Sequence, residues 1–337
     1  MEEIVATSNK TSKKSLIVNG VLSGLAFALL GWTVWSNRAK LAEVWAKKPD
    51  ANLFAAGLAI YMGALLVTFL RWHRLVTALG LPFRFRDAIR LGFIGNVFNL
   101  VIPGAVGGDV IKAAFLCREQ EKKTQAIASM VIDRALGLLG LFVLAGAVGV
   151  FAWNDAAPPV RRLIGFAWIM VACGTVGLAI LFTPALYRPI GKVFQGRGKL
   201  EVLFGELIAM AAAYRERLGV VFVALGMAVL GHSMYVLCFF LASKALFGVE
   251  TPTVLEHYLV VPLVLFSTAI PMPFGALGVT EQVSKTLFAN IVGFASGDIA
   301  MLGYRAVMYA AGLISVFVYL ANLQQVRTLK ESPPTLD

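Results

Sequence analysis

Residues 96–116 read NVFNLVIPGAVGGDVIKAAFL, residues 271–281 read PMPFGALGVTE, and these two stretches decide the fold. Each interrupts an apolar run with proline and glycine and then presents an acid. Proline lacks a backbone N–H and glycine tolerates dihedrals that other residues avoid. A helix should therefore break at Pro103 and Gly104, and again at Pro271, Pro273 and Gly275. Broken backbone at membrane depth is tolerated only where protein or water satisfies the freed groups. The surrounding segments, about 87–118 and about 254–292, are therefore read as re-entrant helical hairpins. A single kinked span at each place is the alternative.

The rest of the chain puts these breaks in a membrane. Of 337 residues, 58% are apolar and 15% charged, against roughly 45–50% and roughly 25% in soluble domains. The mean hydropathy is +0.78. This excludes a disordered chain, a fibre and a disulfide scaffold, and argues against a soluble enzyme. Runs near 16–36, 52–70, 124–153, 160–183, 218–247 and 298–326 are long enough to cross hydrocarbon as helix. The first lacks a small-residue cleavage site and reads as an uncleaved span after a polar tail, 1–15. The expected fold is an all-α polytopic membrane protein of about six transmembrane helices plus the two hairpins.

Lysine and arginine set the orientation. With both termini cytoplasmic and each hairpin returning to its own side, the inner segments carry 19 basic residues and the outer ones 6. That bias is the expected one for cytoplasmic loops. The expected location is a cytoplasmic (inner) membrane, bacterial or archaeal, with both termini on the cytoplasmic side. The bias also accounts for the net charge of +11 without invoking nucleic acid.

The two breaks resemble each other. Pro103, Gly104, Gly107, Gly108 and Asp109 are answered by Pro273, Gly275, Gly278 and Glu281. Lys112 follows three residues after the first acid and Lys285 four after the second. Arg134 then comes 25 residues after Asp109, and Arg305 comes 24 after Glu281. The unit span–span–hairpin–span thus occurs twice, over 16–153 and 160–326, in opposite orientations, leaving 327–337 as a cytoplasmic tail. Inverted repeats that meet at broken helices are a hallmark of secondary transporters, with the site between them.

Ionisable groups at such depth need partners or water. Asp109, Lys112, Asp133, Arg134, Glu281, Lys285 and Arg305 are the candidates, with Asn96 and Asn99 ahead of the first break. One reading pairs Asp109 with Arg134 and Glu281 with Arg305 around a hydrated cleft, where guanidinium forks can hold a phosphate. The other makes them structural locks between hairpin and span. His232 reads as a satisfied buried histidine, and His257 with Glu256 as an outer-interface pair. Residues 200–217 form an amphipathic stretch that either lies on the cytoplasmic membrane surface or packs on the bundle. Three scattered cysteines and three scattered histidines supply no metal site, and no cofactor is expected. GxSxG, GxxxxGK[ST] and HExxH do not occur.

The stretch from Gly92 to Arg118, together with PMPFGALGVTE, resembles the flippase-like membrane family typified by the transmembrane region of bacterial lysylphosphatidylglycerol synthases. Asn96, Asn99, Pro103, Gly104, Gly107, Gly108, Asp109, Asp133, Arg134, Pro273, Gly275, Gly278 and Glu281 carry the likeness, which extends over about 16–326. The resemblance implies movement of a lipid, or of a lipid-linked headgroup, between leaflets. The partner it implies is a membrane lipid, anionic or glycan-linked among the candidates, with the oligomeric state open. The synthases carry a cytosolic aminoacyl-transferase domain, and the 337 residues leave no room for one, so this chain is not expected to make aminoacyl-lipids. Two alternatives stand beside transport: a membrane enzyme transferring a group to a lipid, and a non-transporting subunit of a lipid-modifying complex.

Overall fold

A computed structural model describes residues 30–101, 107–119, 123–154, 158–196, 198–269 and 276–322, with Gly24 and Ala28. The described residues are helical throughout their regular structure and include no strand. In chain order the helices are α1 (Arg38–Ala46), α2 (Ala51–Ala78), α3 (Phe85–Val101), α4 (Gly107–Glu119), α5 (Lys123–Ala152) and α6 (Pro158–Phe182). They continue as α7 (Pro184–Phe194), α8 (Lys199–Ala212), α9 (Leu218–Phe247), α10 (Val254–Phe266), α11 (Val279–Val292) and α12 (Gly297–Ala321).

Five of these are long and apolar enough to cross a membrane: Ala51–Ala78, Gln125–Ala152, Val160–Phe182, Arg215–Glu250 and Gly297–Ala321. They coincide with five of the six expected crossings. The remaining one, 16–36, lies mostly outside the described residues, and its described end, 30–36, is helical. The breaks at Pro103, Gly104, Pro271, Pro273 and Gly275 also lie outside them. Three of the four helices flanking the breaks are short. α4 and α10 have 13 residues each and α11 has 14, or about 20 Å at 1.5 Å per residue, less than the roughly 30 Å of a hydrocarbon core.

The chain divides into two compact units. One gathers Met1–Gly63, Arg90–Phe115 and Met234–Asp337; the other gathers Ala64–Ile89 and Leu116–Ser233.

Small residues set the closest approaches within each unit, as is usual where helices associate in lipid. In the first unit, a Cβ built on Gly108 would lie 2.0 Å from the carbonyl oxygen of Gly95. The two arms α3 and α4 therefore touch backbone to backbone. In the second unit, a Cβ on Gly140 of α5 would lie 2.6 Å from that of Ala228 on α9. The first unit's core is aromatic: Tyr304 stacks on Phe239 at 5.4 Å, and Tyr61 lies 5.1 Å from Tyr235 and 6.0 Å from Tyr304. The second unit closes on Trp72, Leu75, Leu136 and Tyr214, all buried. The Tyr214 hydroxyl donates to the Leu75 carbonyl at 2.9 Å, and burial pushes this phenol's pKa up.

Two expectations change here. Glu256 and His257 are not an interface pair. Glu256 and Thr253 form a capping box at the start of α10, while His257 is wholly buried against Phe239, Phe240 and Phe288. Successive helical residues point about 100° apart, so one faces out and its neighbour in. The amphipathic stretch 200–217 also resolves. Its helix α8 packs against α5, α6 and α7, with Ala211 and Tyr214 buried, so the packed alternative holds. The strongly amphipathic helix is α7, just before it.

Candidate functional site

The first unit carries a buried charged centre on α11 and α12. Glu281 sits in the first turn of α11, immediately after the break, and its side chain is wholly buried. Helix N-termini leave N–H groups unsatisfied, and an acid there suits both those donors and the helix dipole. Glu281 Oε2 accepts from the Gly278 amide at 2.6 Å. The backbone reaches this geometry through Gly278, whose φ is 83°, a region glycine enters without steric penalty.

Arg305, two turns into α12 and 2% exposed, answers the charge. Its Nε donates to Glu281 Oε1, and its Nη2 donates to the Thr280 hydroxyl. That hydroxyl lies 3.1 Å from Glu281 Oε2 and 3.3 Å from the Ala276 carbonyl. Carboxylate, guanidinium and hydroxyl therefore form one network in an aromatic core. A buried pair of this kind persists only when its remaining hydrogen-bonding capacity is met.

A second polar group lies one turn along α11. Lys285 Nζ is 3.2 Å from Asp298 Oδ2, with the lysine side chain 39% exposed and the aspartate wholly buried. Asn37 Nδ2 donates to the same oxygen at 2.8 Å, and the Ile299 amide donates to Oδ1 at 3.0 Å. Gln282 Nε2 donates to Thr33 Oγ1 at 3.0 Å. The end of the first apolar run is thereby tied to α11 and α12.

The other break has a parallel construction in the same unit. Asp109 stands in the first turn of α4 and pairs with Lys112 at 2.7 Å, both largely buried. Asn99 Oδ1 accepts from the Gly108 amide at 2.8 Å, capping α4 from its partner arm. Asn96 Nδ2 donates to Ser315 Oγ of α12 at 3.0 Å, and Phe98 meets Tyr319 edge-on at 5.7 Å. A single helix, α12, thus holds α3 through Ser315 and α11 through Arg305. These two positions are ten residues, or about 15 Å, apart.

Asp133 and Arg134 lie in the second unit. Asp133 is buried and paired bidentately with Arg71, at 2.7 Å to Nε and 3.1 Å to Nη2, joining α5 to α2. Arg134 is half-buried on α5. His232 Nε2 meets the Gly137 carbonyl at 2.9 Å, the satisfied buried histidine expected.

Arg71, Thr280, Asn37 and Asp298 were not among the sequence candidates. Arg71 lies just past the apolar run 52–70, but α2 continues to Ala78 and carries it inside. Asp298 carried a signal, being a lone acid at the head of an apolar run.

The class is thus defined: an integral membrane protein of apolar spanning helices and short helices flanking two breaks, with buried ion pairs. Over residues 16–315 the chain matches the family described as the lysylphosphatidylglycerol synthase TM region, and it belongs to that family. No curated protein and no solved structure is significantly similar to it.

Proposed function

We propose that this protein moves a membrane lipid, or a lipid-linked headgroup, between leaflets, using the broken helices of the first unit as its site. The observation that carries the reading is the buried Glu281–Arg305–Thr280 network where the head of α11 meets α12, the helix that also bonds Asn96 of α3. An intramembrane ionisable cluster is a functional site by default, because burying charge is costly and needs a reason to persist. Family membership supports a lipid as the cargo.

The headgroup enters the polar side of the hairpins while the acyl or prenyl chains stay in the bilayer. Arg305 offers a planar fork suited to phosphate, and Lys285 offers a half-exposed ammonium. Asp109, Lys112, Asn96 and Asn99 supply the matching polar lining at the first hairpin. Glu281 holds Arg305 oriented when no headgroup is bound and yields one face of it when one arrives. Both arms of each hairpin enter and leave on the same side, and the two hairpins enter from opposite sides, as the inverted repeat requires. Asp133 and Arg71 act as a lock between α2 and α5.

The test is reconstitution into liposomes with headgroup-varied fluorescent lipids and leaflet-selective quenching. The wild-type protein transfers at least one lipid class, and the charge-neutral Glu281→Gln/Arg305→Met variant abolishes transfer while the protein still purifies as a folded species. Product formation from a lipid substrate would favour the membrane-transferase reading instead. Inactivity alone with a stable partner on pull-down would favour the subunit reading.

A further inference from the structure

We infer that helix α7, Pro184–Phe194, is an interfacial helix that binds a leaflet surface bearing anionic phospholipid, independently of any lipid that is transported. Its sequence, PALYRPIGKVF, divides into three faces. Tyr187 and Gly191 turn inward. The Tyr187 hydroxyl meets Arg215 Nη2 at 3.3 Å beneath the same guanidinium, and Gly191 sits against the Phe204 ring. Arg215 Nε also donates to the Phe182 carbonyl at 3.2 Å, fixing the corner where α6 turns into α7. Leu186 and Val193 point away from the protein, 46% and 58% exposed. Arg188 and Lys192, one turn apart, are exposed on the remaining face.

Among the described residues, nothing is packed over Leu186 and Val193. Facing lipid, they are buried; facing water, they would be an unpartnered apolar patch. The charge decides which kind of lipid. Residues 183–199 carry Arg188, Lys192, Arg197 and Lys199 and no acid. A basic amphipathic helix immediately after a transmembrane helix is the arrangement that attracts anionic headgroups, with the aliphatic stems lying along the interface. The expected orientation puts this segment on the cytoplasmic side, where the other basic loops gather. The recognition reads charge and not headgroup shape, since no buried polar side chain is aimed outward from α7. It needs no transport to occur and does not rest on the reading above.

The experiment uses the purified full-length chain in mixed micelles and nanodiscs. Thermal stabilisation by added phosphatidylserine, phosphatidic acid and phosphatidylcholine gives apparent affinities for wild type, Arg188→Gln/Lys192→Gln and the charge-keeping Arg188→Lys/Lys192→Arg. Wild type should respond to both anionic lipids alike and more than to phosphatidylcholine. The glutamine variant should lose roughly 10–30-fold in apparent anionic-lipid affinity, and the charge-keeping variant should retain it. A fluorophore on Val193→Cys, in a Cys173→Ser background, should be quenched by nitroxides on lipid acyl chains and not by aqueous quenchers. Unchanged anionic-lipid affinity in the glutamine variant would overturn the inference, as would a Val193 label reached from water.

Discussion

Neutralising one member of the Glu281–Arg305 pair should damage the protein far more than removing both. Glu281→Gln keeps an acceptor for the Gly278 amide but leaves the Arg305 cation, 2% exposed, without its carboxylate. Breaking a buried pair from one side costs about 3–5 kcal/mol, because the surviving charge stays in low dielectric. Arg305→Met strands the Glu281 carboxylate in the same way. The double variant Glu281→Gln/Arg305→Met buries no net charge, and similar replacements elsewhere are neutral to within about 1–2 kcal/mol or stabilising. The cycle therefore predicts a coupling of about 3 kcal/mol or more between positions that touch directly. SDS-induced unfolding in mixed micelles, followed by circular dichroism, measures all four proteins. If each single variant costs less than about 1 kcal/mol, the range of exposed pairs, then water reaches the pair and the reasoning from burial fails.

Other outcomes follow from the same geometry. Gly108→Val should separate the hairpin arms and lower the thermal midpoint sharply, because its Cβ would fall 2.0 Å from the Gly95 oxygen; Gly205→Ala, with nothing within 4 Å, is the neutral or stabilising control. Asp133→Asn should cost about 3–5 kcal/mol in the same unfolding assay by stranding Arg71, and Arg71→Met should largely rescue it. Tyr214→Phe leaves the buried Leu75 carbonyl without this donor and should cost about 1–3 kcal/mol without altering transport. Lys285→Gln should slow lipid transfer measurably while the protein still folds, because buried Asp298 keeps its Asn37 and Ile299 donors.

Much of this architecture was legible from residue order because apolar run length and helix breakers are strong local signals. The later five spans fall where the hydropathy placed them, and Glu281 meets Arg305 as their spacing suggested. What the spacing missed has a common cause. A charge near the end of a span looks like a boundary until the helix is seen to continue, as α2 does past Arg71. Asp109 pairs with Lys112 on its own helix, where (i, i+3) proximity is built in, a contact that the sequence placed on one helical face. Of the two readings open for the amphipathic stretch 200–217, packing on the bundle holds, because α8 buries against α5, α6 and α7. The surface-seeking helix α7 is short and holds Pro189 inside it, which disguises its periodicity. His257 could not be separated from Glu256 without knowing which face of α10 turns inward.

The central claim is that the buried pair serves lipid movement and is more than a lock, and the charge-neutral double variant tests it most directly. Lipid transfer between leaflets should be measured at equal folded protein for wild type, Glu281→Gln/Arg305→Met and Arg71→Met/Asp133→Asn. The account predicts transfer by wild type and by the Arg71/Asp133 variant, and none by the Glu281/Arg305 variant despite its stability. Undiminished transfer by a folded Glu281/Arg305 variant would contradict it.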